Sequence, residues 1–539
     1  MSKKKRTKAT ASSGSSAVVS TARMSMFEKF SCAFVIGMFT LFPIFMTDKL
    51  FNVRKDRLHY FVITTLALLF FIFATYICGI DSDRRPKKLA KLSVADISML
   101  AFLVICTLSA IFSKYGIEAV TGSAGRDSGL ILMAVYVLCF FLISRYFNCK
   151  TFVFNIFIIT ASLVNLLAVL NEFYVDPFGI FTLIKEEQQN TFITTIGNKN
   201  LFSAFVCVIM PVIVVLLIKS KDSASTAFYS IACGIAFMGL LVADSDSGYF
   251  GLGAFMLILL IYACGSAKRM FGYSLSVFSM LLSCKVLRLI SIIFQDNMKE
   301  LDSIPMTLIF DNKVYILIAA SAAVTIGFYL LSRKFGDTHS PKWVRIIAIA
   351  LVVACFLAVL LPFIYFTFID TTTELGGLTK YLRLDDKWGT HRGYAWIRSV
   401  ILFKDNGIKN MLIGCGPDTF GQIMKENYRD DMIERHGSVF DSAHNEYLNY
   451  LVTVGILGLA AYVTAIASIL IRGAKHCKNS VPLLVIIFVI ISYCAQALFN
   501  LAQPITTPFL FLFLAMGESV IRRIEIEEEE QKEQLKNKI

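Results

Sequence analysis

Apolar runs of about 20 residues alternate with short polar loops from near residue 27 to residue 521. Each is long enough to cross a hydrocarbon layer of about 30 Å as an α-helix. The runs fall at 27–46, 58–80, 94–112, 129–147, 152–173, 201–218, 226–243, 248–264, 271–294, 313–332, 343–368, 445–471, 481–500 and 503–521. They predict an all-α fold, a polytopic integral membrane protein of about 14 transmembrane helices. The run at 271–294 holds Lys285 and Arg288 and can instead lie partly in the interface. One polar segment, roughly Asp370 to Ala443, is far longer than any other loop and precedes the twelfth helix.

The pattern divides the chain into five parts. Residues 1–25 are a disordered basic arm, 26–368 hold helices one to eleven, and 369–444 form an extracytoplasmic loop. Residues 445–521 hold helices twelve to fourteen, and 522–539 are a charged tail that reads as a solvated helix. No repeat of 20–50 residues is visible, which disfavours a repeat-built transporter.

Composition agrees with a membrane chain. Of 539 residues 56% are hydrophobic and 17% charged, and mean hydropathy is +0.66, which excludes an ordinary soluble domain. The net charge of +13 sits mostly in short loops, where it acts as an orientation signal rather than a nucleic-acid patch. With the N-terminus inside, the inner loops collect Arg84, Arg85, Lys87, Lys88, Lys219, Lys268, Arg269, Arg333, Lys334 and Arg472. Both termini are then cytoplasmic, and the Asp370–Ala443 segment lies outside. The basic stretch Lys49 to Arg57 dissents. Thirteen cysteines are scattered, with Cys415 alone in the long polar segment. No disulfide framework and no CxxC or His-rich metal spacing follows.

Candidate chemistry gathers in the predicted external loops. His444 stands where the long segment enters a helix that Asp441 or Ser442 can cap. The positive end of a helix disfavours the imidazolium, so His444 is either a neutral general base or an interfacial histidine bonded to a loop. Arg392 and Arg398 lie six residues apart around Trp396, not on one helical face. Arg126 occupies a second external loop. Each arginine is either a headgroup anchor or a clamp for phosphate. Gly197-Asn198-Lys199-Asn200 reads as a helix cap or as an amide and lysine lining for a sugar or headgroup. Gly414-Cys415-Gly416-Pro417 is a tight turn in a lid or scaffold. Asp244-Ser245-Asp246 matches a metal-binding DxD, as does Asp81-Ser82-Asp83 on the inner side.

Taken together and in order, these elements resemble the O-antigen ligase family, which includes O-antigen polymerases. They are Gly122 to Leu130, Gly197 to Asn200, Arg392 to Trp396, Gly414 to Phe420, Ala443 to Leu448, and Gln496 to Asn500 followed by Pro504 and Pro508. The resemblance implies a glycosyltransferase of the bacterial plasma membrane that works without a metal or other cofactor. Its partners would be a polyprenyl-diphosphate-linked glycan, an acceptor hydroxyl on a glycan, lipid or protein, and membrane lipids, with no nucleic acid. Carried over, His444 and Arg392 take catalytic roles, while Arg126, Arg398, Asn198, Lys199, Asn200 and Asn445 bind substrate. Where many members have Ser-Arg, this chain has Ser245-Asp246, which either weakens the clamp or leaves Arg398 or Lys199 to substitute, and keeps a metal at Asp244 and Asp246 open.

Two alternatives stand beside a ligase. One is a repeat-unit polymerase of the same family. The other is a polysaccharide or lipid transporter, for which Lys285, Arg288, Asn165, Asn171 and Gln496 would be the intramembrane polar groups.

Overall fold

A computed structural model describes residues 24–81, 91–123, 126–338 and 340–537. The basic arm up to residue 23, Ser82 and Asp83 of the inner DxD, the loop residues Arg84, Arg85, Lys87 and Lys88, and Ala124 and Gly125 lie outside the described residues.

The chain is an all-α polytopic membrane protein. Among the described residues, ten helices are long and apolar enough to cross a membrane. They include Ala267–Ile293, so the run carrying Lys285 and Arg288 forms one helix of 27 residues. The other four expected spans are also helical. Met26–Thr40, Leu130–Tyr146 and Val481–Gln496 are shorter, and Thr507–Lys536 runs through the membrane segment into the tail. Small polar side chains start several helices: Ser25 with Glu28 and Ser93 with Asp96 close capping boxes.

Lys199–Ile218 is the hub, with its whole apolar window buried by protein. A helix apolar on every side has no polar face to offer water, so it sits at the centre. Around it Phe157 packs on Phe39, Phe205, Phe509 and Phe513. Lipid removes the hydrophobic drive between helices, so close van der Waals approach holds the bundle. At Gly272 a Cβ would lie 2.6 Å from Ile218 Cα. By contrast, Val314–Phe335 and Lys342–Ile369 form a peripheral pair, with only 11% and 6% of their apolar windows buried.

Four of the five polar groups suspected of lining a transport path bind backbone or nearby side chains instead, while the buried Gln496 Oε1 has no hydrogen-bond partner among the described residues. Lys285 Nζ donates to the carbonyls of Ile309 and Asp311 at 2.8 and 2.9 Å. Asn165 donates to Ala161 O, Asn171 to Val175 O, and Arg288 to Ser291 and Asp296. The dissenting basic stretch is likewise structural. Arg57 donates to the carbonyls of Phe42, Pro43 and Thr195, and Arg54 pairs with Asp127 at 2.8 Å.

Within the segment 369–444, Trp388–Asp405, Gly407–Ile413 and Phe420–His436 are helical. Two expectations are corrected. The expected helix 445–471 is two, Glu446–Thr453 and Gly455–His476, broken where Gly455 takes φ +70°. The start of the tail is not a solvated helix: Arg522 bonds Asp96 and Glu518, while Arg472 clamps Glu518 and Glu525. Opposite charges drawn from distant helices pull it onto the bundle.

Candidate active site

The motif-bearing loops converge at one end of the bundle. Gly122 and Gly129 close the base of the loop that carries Arg126. A Cβ on Gly129 would lie 2.3 Å from Gly122 N, and Gly122 holds φ +99°, a left-handed value that favours glycine. Asp418 locks this loop from across the chain, accepting the backbone N–H groups of Ser123 and Ser128 at 2.8 and 2.9 Å. Burial pushes its carboxyl up to about 6, against those two donations and the nearby Arg126 charge.

The Gly414–Pro417 turn is a scaffold rather than a lid. Cys415 N and Gly416 N donate to the carbonyls of Val452 and Thr453, and Ser113 Oγ donates to Cys415 O at 2.6 Å. The following helix, Phe420–His436, is fastened to the loop after Ile111 through Glu426, which receives Lys114 and Tyr115.

His444 sits on the loop between this subdomain and the bundle, half-buried, with φ +47°. The cap of the next helix is Asn445, whose Oδ1 accepts Leu448 N at 3.0 Å. Neither Asp441 nor Ser442 caps it: Ser442 Oγ accepts His444 N, and Asp441 turns to Arg126. Glu446, a buried carboxylate unremarked in the sequence, anchors the same helix by accepting Tyr462 and Tyr493 hydroxyls at 2.5 and 3.1 Å. Its signal was an acid two residues past His444 in an apolar run.

Three of the candidate residues are electrostatic neighbours. Burial, and then the Arg126 and Arg392 guanidiniums, hold the His444 imidazole down to about 4, while Asp441 opposes them. Arg392 lies in the first turns of Trp388–Asp405. Among the described residues it has no hydrogen-bond or ion-pair partner, and Asp246 supplies an opposing charge that acts on it. Arg126 is nearly buried, its side chain 11% exposed, and Asp441 grips it fork to fork. A cavity beside them is lined by Arg126, Asp418, Asp441, Ser442, Asn449 and Tyr450.

The remaining candidates serve the frame. Arg398 is held by Asp386 and Asp431 and lies over the Tyr394 ring, centroid 4.0 Å away. It points to a different neighbourhood from Arg392, as their six-residue spacing on one helix requires. Asn198 caps Lys199–Ile218 through Asn200 N. Asn200 accepts Ser245 Oγ at 2.8 Å, and its carbonyl accepts Asn500 Nδ2 at 3.1 Å, tying three motifs together. Lys199 faces buried Glu172 at 3.9 Å. Asp244 accepts Asp302 N. Among the described residues no group of three His, Cys, Asp or Glu side chains is placed to hold a metal ion.

Comparison with known proteins places this site in context. Residues 313–463, which include Arg392, Asp418, Asp441 and His444, match the family model described as O-antigen ligase. A search of curated proteins finds no match. A domain of that family acts in glycan assembly at a membrane.

Proposed function

From the premise that residues 313–463 are an O-antigen ligase domain, we propose that this protein transfers a glycan from a polyprenyl-diphosphate carrier to an acceptor hydroxyl. The reaction takes place at the outer face of a bacterial plasma membrane. The observation that carries the reading is the gathering of Arg126 and Arg392 about a half-buried, neutral His444.

The chemistry needs those groups. As the bond from the sugar to the diphosphate breaks, negative charge builds on the leaving oxygens, and guanidinium forks stabilise it. Arg392, with no partner among the described residues, is the first ligand for that diphosphate, and Arg126 is the second. The acceptor oxygen bonds to the sugar carbon and gives its proton to His444, which stays unprotonated at neutral pH. The peripheral helix Lys342–Ile364 and the aromatic set Phe363, Trp388, Trp396 and Phe499 beside Arg392 support lateral entry of a lipid-borne donor. Asn198, Lys199, Asn200, Arg398 and Asn445 act as the frame around these groups.

Purified protein supplied with a lipid-diphosphate-linked glycan and candidate acceptors tests the reading. His444→Ala should lose about 10²–10⁴ in rate, and Arg392→Ala about 10²–10³. Wild-type rates in both variants would sink the assignment. Loss of transfer in EDTA would move Asp244 and Asp246 into the mechanism. A deletion strain that leaves long glycans on the carrier points to a ligase, and one with shortened chains to a polymerase.

A further inference from the structure

Asp441 occupies a position that the proposed reaction leaves unexplained. Its carboxylate grips the Arg126 fork with both oxygens, yet its side chain is 52% exposed while that of Arg126 is 11% exposed. Arg126 is fixed from behind: its loop is pinned by Asp418 and closed by Gly122 and Gly129. Asp441, in contrast, lies in the irregular stretch between the helix ending at His436 and the one starting at Glu446. A guanidinium fork accepts a carboxylate or a phosphate in the same geometry. The buried arginine is therefore the fixed partner and the exposed aspartate the exchangeable one. Two residues separate Asp441 from His444, and both border Arg126.

Resting on the reading above, we propose that Asp441 is a positioning residue displaced by the donor. It holds the Arg126 fork until the donor's diphosphate takes that fork, and it then turns to the imidazole of His444. No covalent bond changes in this exchange; an ion pair is traded for another, and the proton that His444 takes from the acceptor is stabilised by the freed carboxylate.

The charges facing His444 come from three elements. Arg126 on the 122–130 loop and Arg392 on Trp388–Asp405 disfavour the imidazolium, and Asp441 on its own loop favours it. A diphosphate on the two arginines cancels the unfavourable pair, and an Asp441 released to His444 adds to the favourable side. Binding of the donor thereby raises the basicity of the group that needs it, which places donor binding before proton transfer.

The test uses the full-length protein in detergent with inorganic pyrophosphate as the binding probe, titrated calorimetrically, and glycan transfer as the second readout. Asp441→Asn keeps the side chain's shape and removes its charge. It should bind pyrophosphate about three- to tenfold tighter, since Arg126 is released. In the same variant kcat should fall at least about tenfold, and the acid limb of its pH profile should move to lower pH. Asp441→Glu should recover most of kcat. Unchanged or weaker pyrophosphate binding in Asp441→Asn, at an unchanged melting midpoint, overturns the proposal, and so does an unmoved acid limb. Failure of the transferase reading is seen separately: wild type would transfer no glycan, while the pyrophosphate titration would still decide whether Asp441 competes for Arg126.

Discussion

Asp418 shows how much one side chain decides at this site. It follows a Gly-x-Gly-Pro turn, takes φ +60°, and accepts two backbone donors from a loop almost 300 residues earlier. Burial still outweighs those bonds and raises its carboxyl to about 6. A raised carboxyl contributes most to stability below the unfolded value of about 4, and that contribution is lost as pH rises through 6. Asp418→Asn keeps an acceptor and tolerates the left-handed backbone, so at pH 7.5 its melting midpoint should equal or exceed that of wild type. Asp418→Ala orphans two buried N–H groups and should melt several degrees lower. A midpoint for Asp418→Asn as low as that of Asp418→Ala would refute the role of charge. At this scale residue type and place mark His444, Arg392 and Arg126 as candidates. Asp418 and Glu446 were not singled out and Asp441 was read only as a helix cap, because their meaning lies in partners distant in sequence or buried behind them.

Among the elements, apolar run length placed helix in every expected span, ten of the helices being long and apolar enough to cross a membrane, because a bilayer leaves the backbone no other economical way to satisfy its hydrogen bonds. Breaks inside runs were not legible. The division at Val454 and Gly455 follows from a tertiary contact: the Gly414 turn presses on that point, and a Cβ on Gly414 would lie 2.2 Å from Thr453 O. Gly414 also holds φ +79°. Gly414→Ala should therefore cost roughly 1–3 kcal/mol through strain and should reduce transfer by displacing the Glu446 helix and His444 with it. A detergent melting curve and the transfer assay check this, and wild-type values in both would show that the turn yields freely. The start of the tail was misjudged for a related reason. Its charges look solvated in sequence, yet Arg522, Arg523 and Glu525 meet Asp96, Glu28 and Arg472 on other helices.

The whole molecule is polarised. One end gathers the candidate-site motifs, and the other gathers the ion pairs around Asp96, Glu518 and Arg522. The positive-inside expectation is that the motif end faces outward. A membrane-impermeant maleimide should then label Ser438→Cys in intact cells, since Ser438 is exposed on that subdomain. The exposed native Cys78, at the other end of Val53–Ile77, should need permeabilised cells. Peptide mass spectrometry reads both sites, and the reverse pattern would invert the topology.

The sequence by itself determined that this is an all-α membrane protein, roughly where its helices run, and which polar loops carry candidate chemistry. Those properties depend on local composition and on the bilayer's thickness, and both act on contiguous residues. Only the tertiary structure decided that Arg398 is bound to Asp386 while Arg392 has no partner among the described residues, that Arg126 is gripped by Asp441, and that Asn200 joins Ser245 and Asn500. Pairing among charges and amides is set by distance in space, and many partner choices are compatible with the same pattern along the chain.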